Sequence, residues 1–273
     1  MVIEFQISGD QYTSDLSNPY HISIPVIFNG DQPNIFDVPS ASSNAVETEN
    51  FIADTRLGGS FNFEEINIIP HCNGTHTECI GHITLERISL HDILNETLIP
   101  ASLITVNPQH AFETNDSYEP LKNEDDKMIT LASLKSKLSK KNSGFTDAVI
   151  IRTLPNEYSK TSRRYMNDPS PFFSIEAIEY LNSLGVKHLL VDFPSLDRTF
   201  DEGKHTIHHI FWGFDKGRNT IKQKNISVKS VTEMVYIGND IKDGNYLLNI
   251  QIPDFVTDAV PSRIFLFDII KKK

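Results

Sequence analysis

SIEAIEYLNSLGVKHLLVDFPS, residues 174–195, carries the marks of a helix followed at once by a buried strand. Ser174 is an N-cap residue able to accept from the free amides of a first helical turn, and Glu176 sits where the helix dipole favours an acid. Ile175, Ile178 and Leu181 recur at helical spacing, and Gly185 is placed for the left-handed conformation that ends a helix. Val186 to Phe193 then reads as an apolar strand that closes on Asp192-Phe193-Pro194-Ser195. In open α/β sheets, ligands tend to bind at that end of a strand.

Working outward, the same alternation repeats. Strands are expected near Leu103 to Val106 and Ala148 to Arg152, with a helix from about Leu131 to Lys140 between them. Thr130 is its cap, Leu131, Leu134 and Leu138 form its stripe, and lysines fill its last turn. The order predicts an α/β fold, a single domain over 1–273 with a mixed central β-structure and flanking helices. Residues 1–70 read as strand- and turn-rich, with Ile22 to Phe28 as a strand before the turn Asn29-Gly30-Asp31 and an element boundary at Gly58-Gly59. The polar, acidic run 113–127 and the glycine-containing run 199–230 read as loop insertions.

Composition narrows the function. With 39% apolar and 22% charged residues, the chain of 273 is globular rather than disordered. Its net charge of −11, with no concentrated basic stretch, argues against a nucleic-acid partner. The N-terminus has no basic segment leading into an apolar one, and no apolar run reaches membrane-spanning length, so a cytoplasmic protein without a membrane partner is expected. Two cysteines, Cys72 and Cys79, are too few for a disulfide scaffold. They are either buried thiols or part of a metal or redox site.

The chemistry concentrates in His71-Cys72-Asn73-Gly74-Thr75-His76-Thr77-Glu78-Cys79-Ile80-Gly81-His82, which holds three of the ten histidines. Imidazole and carboxylate are the usual ligands of zinc or manganese, and a glycine gives such a segment the freedom to converge them. A helix after Thr75 would put Glu78 and His82 on one face at i, i+4. A second cluster, His205, His208 and His209, precedes Ile210-Phe211-Trp212, and Glu233 follows in the apolar segment Val231 to Ile237. Such a carboxylate is either paired or metal-bound in the interior, or points outward from an amphipathic strand. Turn histidines, equally, are often simply exposed. Trp212, Phe61 and Phe63 are candidates to hold a flat substrate, or else core. No Gly-x-Gly-x-x-Gly and no Gly-x-Ser-x-Gly occurs, which argues against a nucleotide fold and a serine nucleophile elbow.

Gly74-Thr75-His76-x-Glu78-x-x-x-His82 resembles the His-x-Gly-Thr-His-x-Asp-x-Pro-x-His signature of the cyclase-like metal-dependent hydrolases, the group of bacterial kynurenine formamidase and isatin hydrolase. Phe172 to Lys187, then Val191-Asp192-Phe193-Pro194-Ser195-Leu196-Asp197, is similar to that family's helix, turn and strand end. Gly244-Asn245-Tyr246 to Pro253 and Pro261-Ser262-Arg263 are similar to its closing strands. The likeness spans about residues 60–270 and implies a swivelling β/β/α-type architecture. It also implies that His76, Glu78, His208 and Glu233 bind one or two divalent metals, zinc or manganese, and that His82 is the catalytic histidine. His209 is the alternative to His208. Glu78 stands where the family usually has Asp, and Ile80 where it has Pro. The family's first histidine falls on Cys72, so either Cys72 ligates as thiolate or His71, one residue earlier, reaches the same corner.

The implied reaction is hydrolysis of an amide C–N bond, of an aryl formamide such as N-formylkynurenine. A divalent metal lowers the pKa of water from about 15.7 to about 7, and a histidine acid/base passes the proton to the departing amine. Two other readings stand beside it: a hydrolase that opens a lactam or lactone ring, and a binding protein on the same scaffold that no longer activates water. The resemblance further implies a homodimer or homotetramer, with Phe265 to Ile270 as a possible interface strand or ordinary core.

Overall fold

In a computed structural model, which describes residues 1–138, 144–215, 217, 219–221 and 226–272, four parallel strands form the centre of a nine-stranded mixed sheet. Ile99–Val106 pairs with Ala148–Thr153, that strand with His188–Val191, and the last with Ser230–Glu233. Antiparallel strands extend it on both sides. Gly244–Gln251, Arg263–Asp268 and Tyr20–His21 follow on one, and His76–Cys79 and Ala259–Pro261 on the other. The α/β class and mixed central sheet expected from the sequence are what the chain adopts.

The central strands read as continuous apolar runs because both faces are covered. Side chains alternate across a strand, so Val149 and Ile151 enter one core while Ala148 and Ile150 enter the other. The first core is completed by helices: Leu134 from Leu131–Lys137, Ala177, Ile178 and Leu181 from Ile175–Ser183, and Ile207 and Phe211 from Thr206–Trp212. The second is closed by Leu248, Ile264 and Leu266 of the antiparallel strands.

Both expected helices are capped as read. The Thr130 hydroxyl accepts from the Ser133 amide and the Ser174 hydroxyl from that of Ala177, and Gly185 lies at φ 78°. The first helix ends at Lys137; its expected end at Lys140 lies outside the described residues.

Other expectations are corrected. Ile22 to Phe28 is not a strand: Pro25 has no N–H for a ladder, and only Tyr20–His21 and an isolated bridge from Ser23 to Val235 form there. Run 199–230 is more than a loop, because it contains the helix Thr206–Trp212. Among the described residues, no helix is long and apolar enough to cross a membrane.

Candidate metal centre

The segment after Thr75 is a strand, His76–Cys79, where a helix was expected. It lies between two antiparallel neighbours, Ser230–Glu233 and Ala259–Pro261, and the β-branched Thr75 and Thr77 suit that place. Period-two alternation then decides which side chains meet. His76 and Glu78 point to one face, and Glu233, directly opposite His76, joins them. Thr77 and Thr232 point to the other face, where their hydroxyls share a hydrogen bond of 2.8 Å.

His76, Glu78 and Glu233 are all buried, with donor atoms within 4.8 Å of one another. His208 reaches the same carboxylates from the helix Thr206–Trp212. Its Nε2 lies 3.1 Å from Glu78 Oε1 and 3.6 Å from Glu233 Oε1. The backbone amide of Leu196 donates to Glu233 Oε1 at 3.1 Å, which fixes that side chain. His209 points elsewhere and stacks its ring on Phe214.

The imidazoles are held from behind. His76 Nδ1 is 3.0 Å from the carbonyl oxygen of Gly74, which can only accept, so Nδ1 carries the hydrogen. His208 Nδ1 donates to Asp197 Oδ2 at 2.7 Å. When the rings are neutral, the Nε2 lone pairs of both are therefore aimed at carboxylates. His76 Nε2 is buried without a well-formed hydrogen bond among the described residues, although Glu233 Oε2 is 3.3 Å away. Acceptor facing acceptor in the interior is costly unless a proton or a cation lies between them. The donor set therefore fits a divalent metal with the outer hydrogen bonds such histidines require.

The electrostatics agree. Burial works against the imidazolium of His76, but Glu233 and Glu78 outweigh it and raise its pKa. His208 is raised further against the same burial penalty, by Asp197, Glu233 and Glu78. Glu78, despite burial, is held well below the usual carboxylate range by His82 and His208.

A second group opens outward. His71, Glu78 and His82 also bring donor atoms within 4.8 Å. His71 stacks on His82 with ring centroids 4.5 Å apart. Cys72 turns the other way, into an apolar cluster with Ile24, Ile35, Tyr165 and Met234, where burial pushes its thiol up to about 11. Among the described residues it is in neither donor group. A short 3₁₀ turn, Ile80–Ile83, delivers His82. Gly81 permits it, since a Cβ there would stand 1.9 Å from the carbonyl oxygen of Ile88. His82 is also at the edge of a cleft of about 620 Å³ lined by Ile83, Lys204, His205, Thr206 and His209.

Two carboxylates were not singled out as site residues in the sequence. Asp197 accepts from the amides of Ile207 (2.8 Å) and His208 (3.2 Å) as well as from the His208 ring, so it caps the helix and aims its histidine at once. Asp258 lies just before Ala259–Pro261, and its Oδ2 is 3.2 Å from His71 Nε2 and 3.7 Å from His82 Nδ1. The available sequence signal for Asp197 was its place in the strand-end motif. Asp258 had none, because only strand register brings it in.

The aromatic candidates sit apart from the cleft lining. Trp212 is buried, donates to the Lys229 carbonyl and packs beside His208 with centroids 5.2 Å apart. Phe61 and Phe63 are half-exposed and stack on each other, with Phe51 against both.

Comparison with known proteins gives a consistent picture. The Cyclase family model, described as "Putative cyclase", matches residues 14–198. That span includes His71 to His82 and Asp197, while His208, Glu233 and Asp258 lie beyond it. No curated protein matches the chain. Isatin hydrolase A from Labrenzia aggregata, bound to benzyl benzoate, superposes with a TM-score of 0.63 at 15% identity, over 92% of this chain and 93% of that one. An isatin hydrolase bound to the product analogue thioisatinate gives 0.58 at 13% identity, over 93% of each chain. A "potential metal-dependent hydrolase with cyclase activity" gives 0.56 at 17% identity, over 92% of this chain and 98% of that one. At these identities the likeness is one of fold.

Proposed function

The chain belongs to the cyclase family, and from that premise we propose that it is a metal-dependent amidohydrolase that cleaves a C–N bond in a small amide. The observation that carries this reading is the convergence of His76 Nε2 and His208 Nε2 on the Glu78 and Glu233 carboxylates in a buried pocket. His76, Glu78, Glu233 and His208 would hold a divalent cation, zinc or manganese. When bound, such an ion polarises a carbonyl and makes hydroxide accessible near neutral pH.

The remaining work falls to the chain's own side chains. The Gly74 carbonyl and Asp197 keep each imidazole in the tautomer that presents Nε2. The Leu196 amide holds Glu233 in place. His82, partly exposed beside the cleft, is free to take a proton from the nucleophile and hand it to the departing amine. Glu78 and Asp258 raise its pKa against burial, which favours the proton-holding form that an acid needs.

The first substrate to test is an aryl formamide such as N-formylkynurenine. The isatin hydrolases among the structural neighbours make a lactam the second. Purified protein is expected to carry stoichiometric zinc or manganese, to hydrolyse one of these two, and to lose turnover in His82→Ala while keeping its metal. A metal-free protein inert toward both would instead support a binding role and overturn this reading.

A further inference from the structure

Away from the metal centre, a cavity of about 260 Å³ opens where the strands Ala148–Thr153 and His188–Val191 end, bordered by Thr153 and Asp192. Pro155, Pro171 and Phe193 give it apolar walls. A wider chamber of about 520 Å³ adjoins it, the two sharing Lys127 and Ser170. No donor of the metal centre lines either one.

Three acids border the smaller cavity, and each already has a cation. Asp192 Oδ2 stands 2.7 Å from Lys160 Nζ. Arg163 lies 3.1 Å from Glu157 Oε2 and 3.2 Å from Asp168 Oδ2. What stays unengaged is a set of donors. The hydroxyls of Tyr165 and Ser170 are buried without a hydrogen-bond partner among the described residues. Tyr165 is only 2% exposed, and burial, with Asp192 and Asp168 nearby, raises its pKa, so the phenol keeps its hydrogen and donates. The Lys127 ammonium, where the two spaces meet, makes no hydrogen bond or ion pair among the described residues. An ammonium can only donate, and a buried hydroxyl left unpaired is costly. A carboxylate offers two oxygens that accept from all three and a charge that suits the ammonium.

We propose that this cavity binds a small monocarboxylate, its oxygens held by Tyr165, Ser170 and Lys127 and its short apolar body lying against Pro155, Pro171 and Phe193. The volume sets the size, since it falls just below the range of about 300–1,000 Å³ usual for drug-sized ligands. Charge sets the valence. A second carboxylate on the ligand would meet no further cation, because Lys160 and Arg163 are engaged already.

The test is a saturation-transfer NMR titration of the protein as purified with propionate at pH 7, beside propionamide as its uncharged match. The wild-type protein is expected to bind propionate saturably at millimolar concentration or below, and propionamide at least tenfold more weakly. Lys127→Met and Tyr165→Phe are each expected to weaken propionate about tenfold, the effect of losing one hydrogen bond to a charged group. Lys127 is exposed, so its variant supplies the answer if Tyr165→Phe does not fold. No saturable binding up to tens of millimolar would overturn the proposal. So would equal affinity for propionamide, or propionate binding indifferent to both substitutions, as a carboxylate resting at the metal centre would be. The hydrolase reading depends on other residues and stands or falls separately.

Discussion

Asp197 and His208 are locked together twice over, once through the ring Nδ1 at 2.7 Å and once through the His208 backbone amide at 3.2 Å. One carboxylate thus sets both where the helix Thr206–Trp212 begins and which way its histidine faces. Asp197→Asn is expected to weaken metal binding by about 10- to 100-fold while the protein stays folded. Competition against a chromophoric chelator measures the affinity, and circular dichroism checks the fold. Unchanged affinity would mean that Asp197 is only a helix cap.

Removing the metal should cost stability. An ion that binds only the folded state at a thousandfold above its dissociation constant stabilises by about 4 kcal/mol, or roughly 10 °C in a chain of this size. Treatment with a chelator is expected to lower the melting temperature by that order, and added zinc or manganese to restore it. Glu233→Gln should show little response to either.

Lys160 and Asp192 form a separate buried pair, 2.7 Å apart, beneath the ends of the parallel strands. Lys160 Nζ also donates to the carbonyl oxygen of Thr153 at 2.8 Å. Lys160→Met is expected to destabilise by about 3–5 kcal/mol, because the buried Asp192 loses its cation. Burial already raises the Asp192 pKa. The folded state therefore favours its proton, and the penalty should be smallest near the ordinary carboxylate pKa and grow as pH rises through the raised one. Urea unfolding of both proteins at pH 5 and pH 8 tests the sign.

Both thiols should be unreactive in the native protein. Burial pushes Cys72 up to about 11 and Cys79 up to about 12, so almost no thiolate exists at pH 8. A thiol reagent is expected to modify neither until denaturant is added, and then both. Prompt native labelling of Cys72 would argue that its segment opens.

Much of this architecture was legible in the chain. Ser174, Thr130 and Gly185 announced helix ends by the chemistry of orphan amides and left-handed turns, and apolar runs announced strands covered on both faces. The candidate site was legible as a composition and illegible as a geometry. Glu78 and His82 suggested a helical i, i+4 pair, but two flanking strands impose extended backbone on His76–Cys79, so His76 and Glu78 share a face at i, i+2 instead. His71 and Cys72 could not be separated by spacing, since the choice depends on which of them the apolar cluster around Tyr165 absorbs. The helix holding His208 lacks a local side-chain cap and draws on Asp197, ten residues before Ile207, so no window of nearby residues revealed it.

Strand register across the molecule also governs the order in which the protein matures. Glu78 meets His208 across 130 residues of chain, and Thr77 meets Thr232 across 155. Closing such distant partners is the slow part of folding, because loop entropy is lost before any contact repays it. No fragment short of the assembled sheet holds the inner pocket, so metal capture belongs to the final stage of biogenesis. A ribosome-bound chain lacking its last third would hold His76 and Glu78 but neither His208 nor Glu233, and so could not close the inner pocket.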